Sequence, residues 1–192
     1  MGGWLFRQRS WLPLPLVAAL LLIPPAAGVP EPVSQSLWAI GVLVVGAAEG
    51  LRLWAVHHIG AISRTRSDRL GPLIAAGPFA YVRNPLYVAN MLLWAGFAIA
   101  ARLLWLAPII VVVLALEYHA IVLWEERLLA ERIGEPYANY VAGVPRWMPS
   151  FGARRPAAPP MTFSWRETLF SERGTLIAIA LGFFVLWLKA RF

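Results

Sequence analysis

The sequence predicts an all-α, polytopic helical membrane protein with about five transmembrane helices, and three observations point there. Of 192 residues, 59% are hydrophobic and 14% charged, with a mean hydropathy of +0.64, outside the composition of ordinary soluble domains. The apolar residues fall into five runs, at 11–29, 37–56, 86–101, 103–124 and 175–188, most of them near the roughly 20 residues that cross a bilayer. Lys and Arg collect in the segments between the runs, as they do when the runs themselves lie in hydrocarbon.

The first run follows Arg7 and Arg9 and ends at PPAAG, a pattern shared by a membrane span and a cleaved signal peptide. Pro13 and Pro15 early in the run, and the absence of a soluble secreted domain after it, favour the span. The second run carries Glu49 and Arg52 at the i,i+3 spacing of an ion pair. Its Gly46 and Gly50 form a GxxxG, which lets helices approach closely, within one copy or between copies. Runs three and four are separated only by Arg102 and its neighbours, so they form a tight antiparallel hairpin. In run four, Trp105 and Trp124 are separated by a rise of roughly 28 Å, the spacing of two interfacial aromatic belts. Residues 154–160 read as a Pro-rich linker and residues 161–173 as an interfacial helix carrying Phe163, Trp165, Leu169 and Phe170, ahead of the last span.

Arg7 and Arg9, then Arg64, Arg66, Arg69 and Arg83, then Arg146, Arg154 and Arg155 can all be cytoplasmic under the positive-inside rule. That arrangement sends Lys189 and Arg191 to the far side, against the trend. The chain reads as a single membrane domain over 1–192, without repeats. Its Ala, Arg, Pro and Gly bias suggests a bacterial inner membrane.

Several functional classes lose ground. The net charge of +7 is explained by anionic headgroups beside the spans, without nucleic acid. Cysteine is absent, which removes disulfides, thiolate catalysis and cysteine-ligated zinc. No HExxH, GxSxG, P-loop or GxGxxG occurs, so neither a metal site nor a serine hydrolase or Rossmann site is expected.

The informative stretch runs from Gly77 to Pro149. Gly77 and Pro78 make a turn, Tyr81, Arg83 and Tyr87 follow, and Asn84-Pro85 suits the N-cap and first position of a helix whose free amides face the interface. Glu125 and Glu126 sit where run four leaves the membrane, and Tyr137 and Tyr140 lie one turn apart. An aromatic and carboxylate cage of this kind suits a cation. Glu117 and His119 lie inside run four, where ionisable groups are functional candidates. Glu117 and Glu125 are roughly 80° apart around the helix, so one cavity can receive both. His57 and His58 end run two and read as interfacial.

From residue 51 to 149, LRLWAVHHIGAISRTR, GPFAYVRNPLY, WEERLLAERIGEPYANY and VPRWMP together resemble the membrane-embedded methyltransferases that include isoprenylcysteine carboxyl methyltransferase and the phospholipid N-methyltransferases. The resemblance implies a methyltransferase-like core over 51–149, with linker, interfacial helix and last span in 150–192. It implies S-adenosylmethionine bound from the cytoplasm and a lipophilic acceptor reaching in from the bilayer. Cofactor-binding roles carry over to Gly77, Pro78, Tyr81, Arg83, Pro85 and Tyr87, and to Glu125, Glu126, Tyr137 and Tyr140. Asn84 stands where many members have His, and an amide cannot act as a base near neutral pH. Arg146 belongs near the acceptor. A carboxylate acceptor would be oriented by Arg146 or Arg83, whereas an amine must lose a proton, with Glu117 or Glu125 as base. The sequence leaves both open, together with the oligomeric state. It also leaves open a non-catalytic protein that binds a lipid or partner on the same fold, and a reductase like the sterol reductases.

Overall fold

The computed structural model describes residues 3–4, 14–60, 73–151 and 163–191. Among them are six α-helices, one short 3-10 helix and no strand, in the order α1 (Leu14–Leu22), α2 (Glu31–Ile59), the 3-10 helix (Gly77–Ala80), α3 (Pro85–Ala100), α4 (Leu106–Ile133), α5 (Glu135–Gly143) and α6 (Trp165–Lys189). Three of them, α2, α4 and α6, are long and apolar enough to cross a membrane, and α3 is a shorter apolar helix. Among the described residues, three of the five expected runs lie on helices of that length. At about 1.5 Å per residue, α3 rises only about 24 Å against a hydrocarbon thickness of roughly 30 Å. The described helix of the first run has nine residues; residues 5–13, with Arg7 and Arg9, lie outside the described residues, as do Arg64, Arg66, Arg69, Arg154 and Arg155 on which the orientation rests.

Local chemistry sets the helix ends. Pro32 stands in the first turn of α2, where a missing N–H is harmless. Pro85 does the same for α3. The α3–α4 hairpin turns on Arg102, whose φ of +61° is the left-handed conformation, with Leu103 N–H donating to Ala98 O at 2.9 Å. The interfacial helix and last span expected separately are one continuous element, α6. Ser164 and Glu167 form a reciprocal capping box at its start, and the lone Gly174 does not interrupt it. The change from polar to apolar at that point changes the surroundings of the helix and leaves its conformation intact.

The core lies between α2, α3 and α4. Val45 and Ala48 of α2 meet Leu93, Phe97 and Ala100 of α3, and Leu106, Ile110, Leu114 and Ile121 of α4 complete it. The tightest approach is at Gly41 and Gly96. A Cβ on Gly41 would fall 2.6 Å from Ala100 Cβ and 2.7 Å from Gly96 O. By contrast, Cβ atoms on Gly46 and Gly50 would meet nothing within 4 Å. The GxxxG is thus on the open face of α2, and the close helix contact uses a different glycine pair. On the outside, Leu43, Val112, Leu116, Ile177, Leu181 and Phe184 are exposed, an apolar exterior suited to lipid.

Helix α6 leans on α2 and α3 through Phe183, 5.5 Å from Trp38 and 4.9 Å from Phe97 between ring centroids. Its start lies beside the end of α2, where Trp165 stacks on His57 at 4.2 Å. Its end lies beside α1, where Lys189 Nζ donates to Leu20 O at 2.6 Å and also to Ile23 O, satisfying carbonyls that the end of a short helix leaves open.

Candidate functional site

The site is assembled from two loops at the end of the bundle where α2 ends, α3 begins and α4 leaves the core. Gly77 opens the first loop with φ +60°, and a Cβ there would lie 2.6 Å from the His58 ring, so both conformation and space call for glycine. The second loop follows α5, and backbone pairing ties the two together. Arg83 N–H donates to Pro145 O at 2.9 Å, and Ser150 N–H to Tyr81 O at 3.0 Å. Tyr140 adds a side-chain tie, its hydroxyl donating to Phe79 O at 2.8 Å.

Asn84 occupies the N-cap position of α3 but makes no side-chain cap hydrogen bond. Its amide instead donates to Arg146 O at 3.1 Å. The residue expected to cap the helix therefore stitches the loops together, because the second loop brings a carbonyl within reach.

Two guanidinium groups converge on one carboxylate. Arg146 grips Glu126 with both ends of its fork, Nε to Oε1 at 3.0 Å and Nη2 to Oε2 at 2.7 Å. Arg83 Nη1 lies 3.0 Å from the same Oε1. Donating to the Glu126 carboxylate raises the Arg146 pKa, and the knot keeps one positive charge in excess. Arg83 Nε is buried and has no hydrogen-bond partner among the described residues. A buried N–H of this kind is expensive unless a ligand oxygen meets it.

Beside the knot, Tyr87 donates its hydroxyl to both oxygens of Glu125, at 3.2 and 3.1 Å. Its ring stacks on Tyr118 with centroids 4.6 Å apart. Carboxylate and ring together offer a negative, aromatic surface to a cation.

The expected site residues divide into three groups. Arg83, Glu126 and Arg146 meet directly, with Asn84 bound to the backbone of Arg146, and Tyr87 and Glu125 form the adjoining pair. Gly77, Pro78, Pro85, Tyr137 and Tyr140 act beneath them: Tyr137 and Tyr140 are buried against Ala75 and Val144, a packed wall rather than an open cage. Burial, helped by the charge of Glu126, pushes the Tyr137 phenol up to about 12, and burial likewise raises Tyr140. Tyr81 turns toward Trp54 and Phe151, at 6.1 and 5.6 Å. Glu117 is bonded to neither cluster, and its Oε1 is buried without a hydrogen-bond partner among the described residues. His119 is exposed, its ring 6.3 Å from Trp147.

Sequence reasoning missed a second polar cluster. The expected Glu49–Arg52 ion pair forms at 3.3 Å, but Arg52 also bonds Glu172 at 2.7 Å and Asn90. Glu172 is 120 residues away in sequence, and no local spacing could have announced it. Asn90 falls on the same face of α3 as Tyr87 by its i,i+3 spacing, and that was a usable signal.

With this geometry in place, the comparison with known proteins is decisive. A model of the phospholipid methyltransferase family matches residues 37–135, about half of the chain. The chain belongs to the phospholipid methyltransferase family. The matched segment contains Arg52, Tyr87, Asn90, Glu117, Glu125 and Glu126, while Tyr137, Tyr140, Arg146 and Glu172 lie beyond it. Among curated proteins, the chain is 30% identical over 123 residues to the cobalt-zinc-cadmium resistance protein CzcN of Cupriavidus metallidurans, covering 64% of this chain and 54% of that protein. It is 30% identical over 117 residues to the nickel-cobalt-cadmium resistance protein NccN of Alcaligenes xylosoxydans xylosoxydans, covering 61% and 52%. The chain spans about half the length of these curated relatives. No solved structure matches it.

Proposed function

We propose that this member of the phospholipid methyltransferase family transfers a methyl group from S-adenosylmethionine to a lipophilic acceptor at the cytoplasmic face of a bacterial inner membrane. The observation that carries this reading is the adjacency of two opposite sites: the net-positive Arg83–Glu126–Arg146 knot and the Tyr87–Glu125 pair. The cofactor carries a carboxylate at one end and positive charge on its ammonium and sulfonium, so the residues present fit it. The orphaned Arg83 Nε and the spare charge of the knot suit the carboxylate. Glu125 and the Tyr87 ring suit the cationic part.

When bound, the cofactor supplies an electrophilic methyl group, and the protein's share of the work is alignment and exclusion of water. Arg83 and Arg146, the groups able to orient a carboxylate acceptor, share one carboxylate, Glu126, and in this reading their remaining charge is taken up by the cofactor carboxylate. This favours an amine acceptor, with Glu117 as the base that takes its proton, since Glu125 already accepts from Tyr87. Asn84 takes no part in proton transfer, its amide being committed to Arg146 O. The alternative, a non-catalytic protein that binds a lipid or partner, draws on that same Asn84. The relatives' names refer to cobalt, zinc, cadmium and nickel resistance. We read any such setting for this chain as headgroup methylation at the membrane, in keeping with its lack of cysteine, the softest metal ligand.

Calorimetric titration of the detergent-solubilised protein with S-adenosylmethionine tests the reading, with Glu125→Ala as the companion variant. Saturable binding lost in the variant supports it, and no binding to folded wild-type protein sinks it. Transfer of labelled methyl into a lipid extract then separates enzyme from binder. Glu117→Gln should keep cofactor affinity while losing transfer, and unchanged transfer would remove Glu117 as the base.

A further inference from the structure

The polar cluster around Arg52 lies among the apolar helices, and its parts have a fixed direction. Arg52 Nη2 donates to Glu172 Oε2 at 2.7 Å and reaches Thr175 Oγ1 at 3.5 Å. Its Nε lies 3.3 Å from Glu49 Oε2, and Nη1 donates to the Asn90 carbonyl oxygen. A guanidinium has only donors, so Asn90 must present its oxygen to Arg52 and its NH2 to the other side. There the NH2 donates to the Tyr118 hydroxyl oxygen at 3.5 Å. Tyr118 in turn stacks on Tyr87, whose hydroxyl bonds Glu125. A continuous line of oriented groups thus runs from the last helix to the candidate cofactor site. Its origin, Glu172, is 1% exposed and lies outside the residues that match the family.

Two carboxylates around one guanidinium are more than an ion pair needs merely to hold α6 against α2, and burying them is unfavourable. Removing one would leave Arg52 free to turn wholly toward Glu49. Asn90 would then lose the donor that fixes which way its amide faces. We propose that Glu172 and Arg52 are positioning residues for the methyl-transfer site, acting through Asn90 to hold Tyr118, the Tyr87 ring and the Glu125 carboxylate in register. This rests on the methyltransferase reading, and it makes α6 part of the working site.

The test is calorimetric titration of full-length, solubilised Glu172→Gln with S-adenosylmethionine. The dissociation constant should rise about fivefold, and Glu172→Asp should recover most of the loss. Asn90→Ala should weaken binding comparably, and the Glu172→Gln/Asn90→Ala double variant should be no worse than Asn90→Ala alone, as for residues on one line. Leu186→Ala, which loosens α6 at its far end, should lower the melting temperature and leave affinity unchanged. If Glu172→Gln does not fold, Asn90→Ala and Thr175→Val carry the same comparison. Wild-type affinity in Glu172→Gln, or additive effects in the double variant, would overturn the inference alone. Folded wild-type protein that binds no cofactor would overturn the methyltransferase reading and this inference with it.

Discussion

In the half of α2 nearest Glu31, Gly41 lies backbone to backbone against Gly96 and Ala100 of α3, with Val45 at mid-helix closing the seam. In the half nearest Ile59, the same helix meets α3 and α6 through Arg52, Asn90 and Glu172. The first contact works by removing side chains, and it depends on shape alone. The second needs particular partners in particular orientations, at a desolvation cost that simple packing does not require. The site residues stand at the polar end, where Arg83, Arg146 and Glu126 repeat the same pattern of shared charge. The comparison separates contacts made by shape alone from contacts that hold charged groups in fixed orientations.

The largest expected effect falls at the polar end. Glu126→Ala would leave the guanidinium groups of Arg83 and Arg146 facing each other without their shared carboxylate. Breaking such a partly buried arrangement costs about 3 kcal/mol, and chemical or thermal denaturation of the solubilised protein would read it. Glu126→Gln, which keeps the shape, should lose less. Equal losses would mean that charge alone matters at this position, and wild-type stability in Glu126→Gln would mean that packing does. At the apolar end, Gly41→Val should cost about 2 kcal/mol by overpacking. The atoms it meets include Ala100 N and Gly96 O, backbone groups that cannot swing aside. A melting temperature like that of wild type would show that the seam can open.

A smaller effect belongs to the wall beneath the knot. Tyr140→Phe leaves the Phe79 carbonyl unmet and should cost about 1 kcal/mol. The buried phenols also predict a pH response. The folded pKa of Tyr137 is raised to about 12 by burial, from an unfolded value of about 10. The folded state therefore holds a proton that the unfolded chain gives up, and stability falls as pH rises from about 10 to 12. Below pH 10 this contribution is fully present. Tyr137→Phe should flatten the decline, and an unchanged slope would assign it to other groups.

The hairpin of α3 and α4 was legible because its apolar runs are long and its turn short, and the site loops because Gly, Pro, Arg and Tyr cluster between them. The Glu49–Arg52 pair followed from helical spacing. What stayed hidden depended on rotation and on distant partners. Spacing marks Gly46 and Gly50 as a possible contact, but which face of α2 turns inward is decided by Gly96 and Ala100, some fifty residues away. Asn84 carries the signature of a cap, yet its amide goes to a carbonyl that only the folded second loop supplies. Tyr137 and Tyr140 were visible as a pair, while their burial depended on the wall formed with Ala75 and Val144.

The smallest predicted effect tests that point about rotation most directly. Gly46 and Gly41 lie on the same helix, and a Cβ at Gly46 meets nothing within 4 Å. Gly46→Ala should therefore leave the fold intact and raise stability by up to about 1 kcal/mol, the difference in helix propensity between the two residues. Gly41→Ala, placing the same methyl group 2.6 Å from Ala100 Cβ, should do the opposite. Melting temperatures of the two variants, with the detergent-corrected mass of each, read the contrast. If Gly46→Ala lost stability and reduced the mass, the open face of α2 would be the seam of a second copy, and the GxxxG would serve between chains rather than within one.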